Sequence, residues 1–218
     1  PAIHGRRSRQ GATGARRDGA VTDARIAMLD EKAALEVARG TGIPDQLARL
    51  HVFRLLLRRA STAKALSDLL LSLLVGEALD PRLRELVIMR VAWVTGSVYE
   101  WTQHWAIARH LGVPEGDLVG VRNWEMHDVF RPEDRAVLAA ADECLSNGAV
   151  DGARLEELKA HLGDDATLEL LITIGAWTMV STVLRSTAVP LEEGLSPWPP
   201  DGRQPPDTRP VLSHKRAE

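Results

Sequence analysis

The chain has 218 residues, and its 27 basic and 30 acidic side chains give a formal net charge of -3, which argues against an extended nucleic-acid-binding surface. The single cysteine, Cys144, excludes an internal disulfide, a cluster of cysteine metal ligands and thiol redox chemistry within one chain. Aromatic residues make up 4% of the sequence and β-branched runs are scarce beside leucine and alanine, so the composition predicts an all-helical protein.

The sequence also argues against a membrane protein. Its apolar runs stay short of the roughly 18 uncharged residues that a membrane span needs. The opening residues lack the apolar core of a signal peptide. We therefore expect a cytoplasmic protein that has neither a membrane nor a nucleic acid among its partners.

Three regions are predicted from changes in composition along the chain. Residues 1–21 carry five arginines among glycines and small polar residues, which predicts a disordered basic arm. Residues 22–190 have the apolar periodicity of one helical domain. Residues 191–218 include six prolines between positions 197 and 210, which favours an extended tail with Trp198 as its anchor.

Start and stop signals divide the helical domain into about eight to nine helices. The predicted helices cover residues 22–39, 44–57, 61–76, 81–95, 97–112, 114–121, 132–148, 151–162 and 164–185. The strongest start is Asp80 followed by Pro81, because the aspartate can cap the helix and the missing N–H of proline is not needed there. The helix 81–95 and the stretch 167–184 are apolar on most sides, and we expect them to form the centre of the fold.

Glu85 and Arg90 are conspicuous because they lie in the apolar helix 81–95. A charge in such a helix must be paired, exposed at an edge or used in a reaction. Two interpretations stay open from the residues alone: a structural Arg–Glu pair, or a functional carboxylate at Glu85.

Ser97, Glu100 and His104 share one face of the following helix, because they are three and four residues apart. Ser97 and Glu100 match a capping box, in which each side chain bonds the backbone N–H of the other, and His104 can be a core histidine. Alternatively, Glu100 and His104 face a site together with Glu85. We predict no metal there, although a carboxylate–histidine metal site built from these residues is a further alternative.

The stretch 80–122 resembles the carboxymuconolactone decarboxylase family, which includes the alkylhydroperoxidase D-like proteins. The resemblance rests on RLRELVIMRVA, YEWTQH and AIARHLGVPEGDL. It implies an all-α, alkylhydroperoxidase D-like helical bundle that assembles as a homo-oligomer, a trimer or hexamer. It also implies pockets lined by the two central helices and often by a neighbouring subunit.

Peroxidase members of this family carry two cysteines separated by two residues, a histidine four residues beyond the second, and a glutamate twelve residues before the first. The histidine and the glutamate correspond to His104 and Glu85. The two cysteine positions hold Ser97 and Glu100. Because neither side chain can form a sulfenic acid or a disulfide, a disulfide-based peroxidase is not expected.

The resemblance then implies a decarboxylase-like enzyme that needs no cofactor. Glu85, His104 and Glu100 would do acid–base chemistry on a small acidic, lactone or polyketide-like substrate, and one carboxyl in an apolar wall should have a raised pKa. Arg90, with Arg84 as the alternative, would hold a substrate carboxylate.

The remaining residues expected to contact the substrate are Ser97, Trp93, Trp101 and Trp124. Each tryptophan can equally be a core residue. The alternative function is a non-catalytic oligomeric binding or scaffold protein of the same fold, because fold does not fix chemistry.

Overall fold

The computed structural model describes residues 24–76 and 78–206, so the predicted basic arm and the last twelve residues of the tail lie outside the described residues. The described residues form ten α-helices, two 3-10 segments and no strand, which confirms the all-helical fold class. The helices are α1 Glu31–Thr41, α2 Asp45–Arg49, α3 His51–Leu56, α4 Ala60–Leu74, α5 Pro81–Thr95, α6 Val98–His110, α7 Glu115–Gly120, α8 Pro132–Asn147, α9 Gly152–Leu162 and α10 Asp164–Thr187. The 3-10 segments are Leu57–Arg59 and Val121–Met126.

Two predicted helix boundaries were wrong. The first helix begins at Glu31 rather than near Thr22, because the Asp30 side chain caps it by accepting from the Ala33 N–H at 2.8 Å. The second predicted helix is interrupted at Leu50, whose ψ of 138° is extended, so it forms α2 and α3. This break accounts for a tenth helix.

Helix α5 lies at the centre, as predicted, and packs against α6, α8 and α10. Asp80 caps it by accepting from the N–H groups of Arg82 and Leu83, and Pro81 occupies its first turn. Its end is set by Gly96, whose φ of 72° is the left-handed conformation that glycine adopts without strain. Ten of its fifteen residues are buried, which explains why it has no polar face.

Helix α10 is the partner of α5 in the core. Among the described residues it is the one helix long and apolar enough, by length and composition, to cross a membrane. Its inner face, with Leu170, Ile174 and Trp177, is buried against the rest of the domain. Core helices of soluble proteins also meet this criterion of length and apolar composition. The cytoplasmic location stays a prediction.

The described residues after α10, 188–206, return across the helices without forming a helix of their own. Trp198 is buried at 5% exposure and packs against Trp93 and Trp101. The Trp101 indole N–H donates to the Pro199 carbonyl at 2.8 Å, so the described part of the tail is held by more than one contact. The division of the chain into three regions stays a prediction.

Candidate functional site

A cavity of about 130 Å³ lies between α6, α10 and the helices α2, α3 and α4. Its walls are mostly leucine, valine and phenylalanine side chains, and Trp177 of α10 closes one side. The polar side chains in its wall all come from α6: Tyr99, Glu100, Gln103 and His104. They share this side of the helix because they are one, three or four residues apart.

Glu85 lies directly behind the cavity wall and is fully buried. Its Oε2 is 2.8 Å from the His104 Nδ1, and its Oε1 is 3.4 Å from the Arg84 Nε. Glu85 is therefore paired with Arg84 and His104. Of the two interpretations left open for Glu85, the structure contains the Arg–Glu pair, which Glu85 forms with Arg84 and not with Arg90.

The protonation of His104 follows from its second neighbour. The Trp177 indole N–H donates to the His104 Nε2 at 2.8 Å. Because an indole nitrogen can only donate, Nε2 must be the acceptor, and the proton of the neutral ring lies on Nδ1, from which it is donated to Glu85. Both ring nitrogens of His104 are thus engaged by protein groups.

Glu100 differs from His104, because only one of its two carboxyl oxygens is hydrogen-bonded by a described residue. Its Oε2 accepts from the Ser181 hydroxyl at 2.9 Å, and its buried Oε1 has no hydrogen-bond partner among the described residues. Burial raises the pKa of Glu100 well above its ordinary value, and the hydrogen bond from Ser181 offsets only part of this effect. The expected carboxyl with a raised pKa is confirmed at this residue.

The capping box predicted for Ser97 and Glu100 is absent. Ser97 does precede α6, but its ψ of 88° differs from that of a usual cap, and its buried hydroxyl has no partner in the described part of the chain. The Glu100 side chain points inward to Ser181 rather than back along the helix. Ser97 lines a separate groove beside Gly96 and Arg185, not the cavity.

Arg90 and Trp124 do not line the cavity either. The Arg90 guanidinium makes two hydrogen bonds of 2.7 Å to the Asp142 carboxylate and one of 2.8 Å to the Val121 carbonyl. The Trp124 indole N–H donates to the same carboxylate at 2.9 Å. These bonds join α5 and α8 to the second 3-10 segment, and they leave Arg90 away from the site where it was expected to bind a substrate.

Trp93 and Trp101 belong to a buried cluster with Trp198, their ring centroids lying 5.3 to 5.9 Å apart. The Arg122 guanidinium carbon lies 4.9 Å from the centroids of both Trp93 and Trp101. None of these three tryptophans lines the cavity. Of the predicted site residues, the structure therefore brings together Glu100 and His104 in the wall and Glu85 behind them.

Several residues that line the cavity, or that bond a side chain in its wall, were missed by the sequence reasoning. Tyr99 and Gln103 could have been found, because they are four residues apart and adjoin Glu100 and His104 on α6. Trp177 and Ser181 are also four apart on α10, but nothing local relates that helix to α6. Within the ranges 24–76 and 78–206, no group of three or more histidine, cysteine, aspartate or glutamate side chains is placed to hold a metal ion.

Comparison with solved structures finds the same fold in several bacterial proteins. An uncharacterised peroxidase-related protein with an alkylhydroperoxidase D core from Ralstonia eutropha superposes with a TM-score of 0.64 at 19% identity, over 78% of this chain and 93% of that one. A peroxidase-related protein from a Silicibacter species gives a TM-score of 0.56 at 20% identity, over 89% and 99%. The debrominase Bmp8, in complex with 2,3,4-tribromopyrrole, gives 0.60 at 16% identity, over 74% and 85%. At these identities the likeness concerns the fold alone.

The family comparison is more specific. A search of curated proteins by sequence finds no significant match. The sequence model of the carboxymuconolactone decarboxylase family matches residues 60–143, which run from α4 into α8 and include Glu85, Glu100 and His104. Residues 60–143 of this chain therefore resemble the carboxymuconolactone decarboxylase family, and the described helices have the alkylhydroperoxidase D-like fold without the cysteine pair of the peroxidases.

Proposed function

We propose that this protein is a cofactor-independent enzyme that transfers protons to a small substrate bound in the cavity, with Glu100 as the catalytic acid. The observation that carries the proposal is the Glu100 carboxyl, which is buried in an apolar wall, has a raised pKa and keeps one oxygen unpartnered. A general acid needs a proton that it holds up to the working pH and an atom that can reach the substrate. The match of residues 60–143 to the family model and a debrominase of the same fold support an enzyme.

The reference reaction is decarboxylation of a lactone acid or a related keto acid. The bond from the carboxylate carbon breaks, carbon dioxide leaves, and the electron pair passes into the conjugated carbonyl as an enolate. The Glu100 O–H then gives its proton to the carbon that lost carbon dioxide. Glu100 regains a proton from water after the product leaves, so the cycle consumes one proton and needs no oxidant or reductant.

His104 and Glu85 have a different role in this proposal from the acid–base role expected from the sequence. The Nε2 lone pair of His104 is bonded to Trp177, and Glu85 is sealed behind the wall. These bonds support a positioning role, in which the Glu85–His104–Trp177 chain joins α5, α6 and α10 and fixes the wall that carries Glu100. Proton transfer is therefore assigned to Glu100.

The test is a comparison of Glu100→Gln with the unmodified protein. Glutamine has the shape of a protonated glutamate but cannot give a proton, so the variant should fold normally. Carbon dioxide release from a panel of small lactone acids and keto acids should fall at least about 100-fold. The matched control is Ser181→Ala, which removes the hydrogen bond to the other oxygen, together with the bond that Ser181 accepts from Thr95, and should retain most activity. Equal rates for Glu100→Gln and the wild type would contradict the assignment.

The alternative is a binding or scaffold protein of the same fold. The full engagement of both His104 nitrogens favours it, because, among the residues that the structure describes, no second acid–base group without a partner faces the cavity beside Glu100. In that case a molecule bound in the cavity is recovered unchanged after incubation with the wild type. A disulfide-based peroxidase is disfavoured because Ser97 and Glu100 occupy the cysteine positions.

A further inference from the structure

The carboxylate of Glu192 is bound by three donors at the edge of the cavity. Its Oε1 accepts from the Tyr99 hydroxyl at 2.5 Å and from the His51 backbone N–H at 2.8 Å. Its Oε2 accepts from the Gln103 amide at 2.6 Å. Three convergent donors and no acidic neighbour among them make a receptor for a carboxylate, and the protein fills this receptor with a side chain of its own.

Two of these donors, Tyr99 and Gln103, also line the apolar cavity. The receptor and the cavity are therefore parts of one surface. The described residues of the same wall include no lysine or arginine, so an anion bound there would depend on Tyr99, Gln103 and the His51 N–H. The neutral form of Glu100, favoured by its burial, would not repel such an anion.

Glu192 belongs to a segment that can leave the receptor without unfolding a helix. It follows α10, is only partly buried, and precedes five exposed residues, 193–197. The segment is held at both ends by buried residues, Val189 and Trp198. Movement of Glu192 into solvent therefore needs only a change in an irregular stretch between these two points.

We propose that Glu192 stands in for the carboxylate of a small apolar monocarboxylic acid, whose body fills the cavity and whose carboxylate takes the place of Glu192 on Tyr99, Gln103 and the His51 N–H. The incoming carboxylate restores the same three hydrogen bonds and the same charge, so the free energy of exchanging one carboxylate for the other is close to zero. Burial of the apolar body then favours the ligand. The proposal rests on the proposed function only in taking this cavity as the substrate site.

The cavity also limits the size and polarity of the ligand. At about 130 Å³ it is slightly smaller than the apolar protein cavity of about 150 Å³ that binds benzene. The body of the acid should therefore have about five or six carbons. A second carboxylate on the same molecule would face leucine side chains without a partner, which is strongly unfavourable.

The experiment is isothermal titration calorimetry of the full chain with hexanoate, hexanol and adipate. Removal of the internal carboxylate in Glu192→Ala should tighten hexanoate binding by at least about tenfold, because an intramolecular competitor has a high effective concentration. Hexanol binding should change little, and adipate should bind more weakly than hexanoate. In the Glu192→Ala background, Gln103→Leu should weaken hexanoate binding by about tenfold or more, because it removes a charge-assisted hydrogen bond.

The matched control is Glu193→Ala, which removes the same charge from an exposed neighbour and should leave hexanoate binding unchanged. If Glu192→Ala does not fold, Glu192→Gln keeps one acceptor oxygen and should show a smaller change in the same direction. Equal tightening of hexanoate and hexanol, or no tightening, would overturn the proposal. Glu100→Gln should bind hexanoate normally. A failure of the proposed catalytic role, seen in reaction rates, is therefore distinguishable from a failure of the proposed binding site, seen in hexanoate titrations.

Discussion

Glu100 shows how one substitution changes the chemistry available to this fold. In peroxidases of the family the corresponding position holds a cysteine, which reacts as a thiolate. Burial in an apolar wall would oppose that ionisation, whereas for the carboxyl of Glu100 it favours the protonated form on which the proposed proton transfer depends. The hydrogen bond from Ser181 engages one oxygen, and the other oxygen is buried and has no partner among the described residues.

The raised pKa of Glu100 predicts how protein stability depends on pH. Because the folded pKa lies above that of an unfolded glutamate, near 4.3, the stability tied to the protonated form is complete below about pH 4 and falls as pH rises toward the folded pKa. Glu100→Gln cannot ionise. Relative to this variant, the free energy of unfolding of the wild type should fall by up to about 1.4 kcal/mol per pH unit between the unfolded and the folded pKa. Urea unfolding from pH 4 to pH 8 measures the difference.

The control for this measurement is Glu193→Gln, since Glu193 is exposed and its removal should give a nearly constant difference over the same range. A stability difference between wild type and Glu100→Gln that does not change with pH would show that Glu100 ionises in the fold as it does in water.

At the scale of elements, α5, α7 and α8 are joined near their first turns by one arginine. Arg82 donates to Asp117 at 2.7 Å and to the fully buried Asp134 at 2.7 Å. Burial opposes the ionisation of Asp134, but hydrogen bonds from Arg82 and Arg131 outweigh it and lower the pKa of Asp134. The charge of Asp134 is therefore part of the folded state at neutral pH.

Removal of Arg82 should destabilise the fold much more than removal of an exposed ion pair. In Arg82→Met, Asp117 loses its arginine partner and the buried Asp134 keeps only its bonds to Arg131, and we expect the free energy of unfolding to fall by about 3 kcal/mol at pH 7. Because the lowered pKa of Asp134 gives stability above its unfolded pKa near 3.9 that disappears below it, the loss should shrink toward pH 3. Guanidinium unfolding at both pH values checks this.

The comparison variant for Arg82 is Lys64→Met, which breaks the exposed pair with Asp68 within α4. It should cost about 0.5 kcal/mol or less at either pH. If both variants lower the free energy of unfolding by the same small amount, the network of Arg82, Asp117 and Asp134 does not hold the helices together.

The helices show which parts of the fold could be predicted from sequence. Asp80 and Asp151 were recognised as helix starts, because a cap bonds N–H groups only two or three residues away. The start of α3 was missed, because the group that bonds the His51 N–H is Glu192, 141 residues further along the chain. Local patterns determine most helix boundaries, and tertiary contacts determine the rest.

The site follows the same rule. The spacing on α6 places Glu100 and His104 on one face, and the family motif associates Glu85 with them. The partner of Arg90 is Asp142, 52 residues away, and no local pattern indicates it. The capping box failed for a similar reason, since Ser181 of α10 offers Glu100 a buried donor that the sequence around Glu100 does not contain.

At the scale of the whole molecule, α10 carries an apolar stripe that the described residues do not cover. Leu168, Ile172 and Met179 lie along one side of the helix and are 60%, 41% and 44% exposed. The solvent face of a helix in a monomeric protein is normally polar. This α10 stripe adjoins a groove lined by Val150 and Leu155, which widens the apolar surface.

We propose that the α10 stripe is where copies of this chain meet in the homo-oligomer expected from the family resemblance. A 24-residue helix is about 36 Å long and about 10 Å wide, so its face alone gives less than half of the roughly 800 Å² per partner of a standard interface. The neighbouring groove must contribute the remainder.

Size-exclusion chromatography with light scattering should therefore give the mass of a trimer or hexamer for the wild type. The double variant Ile172→Lys with Met179→Lys should give a smaller species with unchanged helical circular dichroism, because each lysine places a charge in the interface. Met126→Lys, at a side chain that is 75% exposed outside α10, is the matched control and should keep the wild-type mass. A monomeric wild type, or a double variant of unchanged mass, would show that this stripe is not the interface.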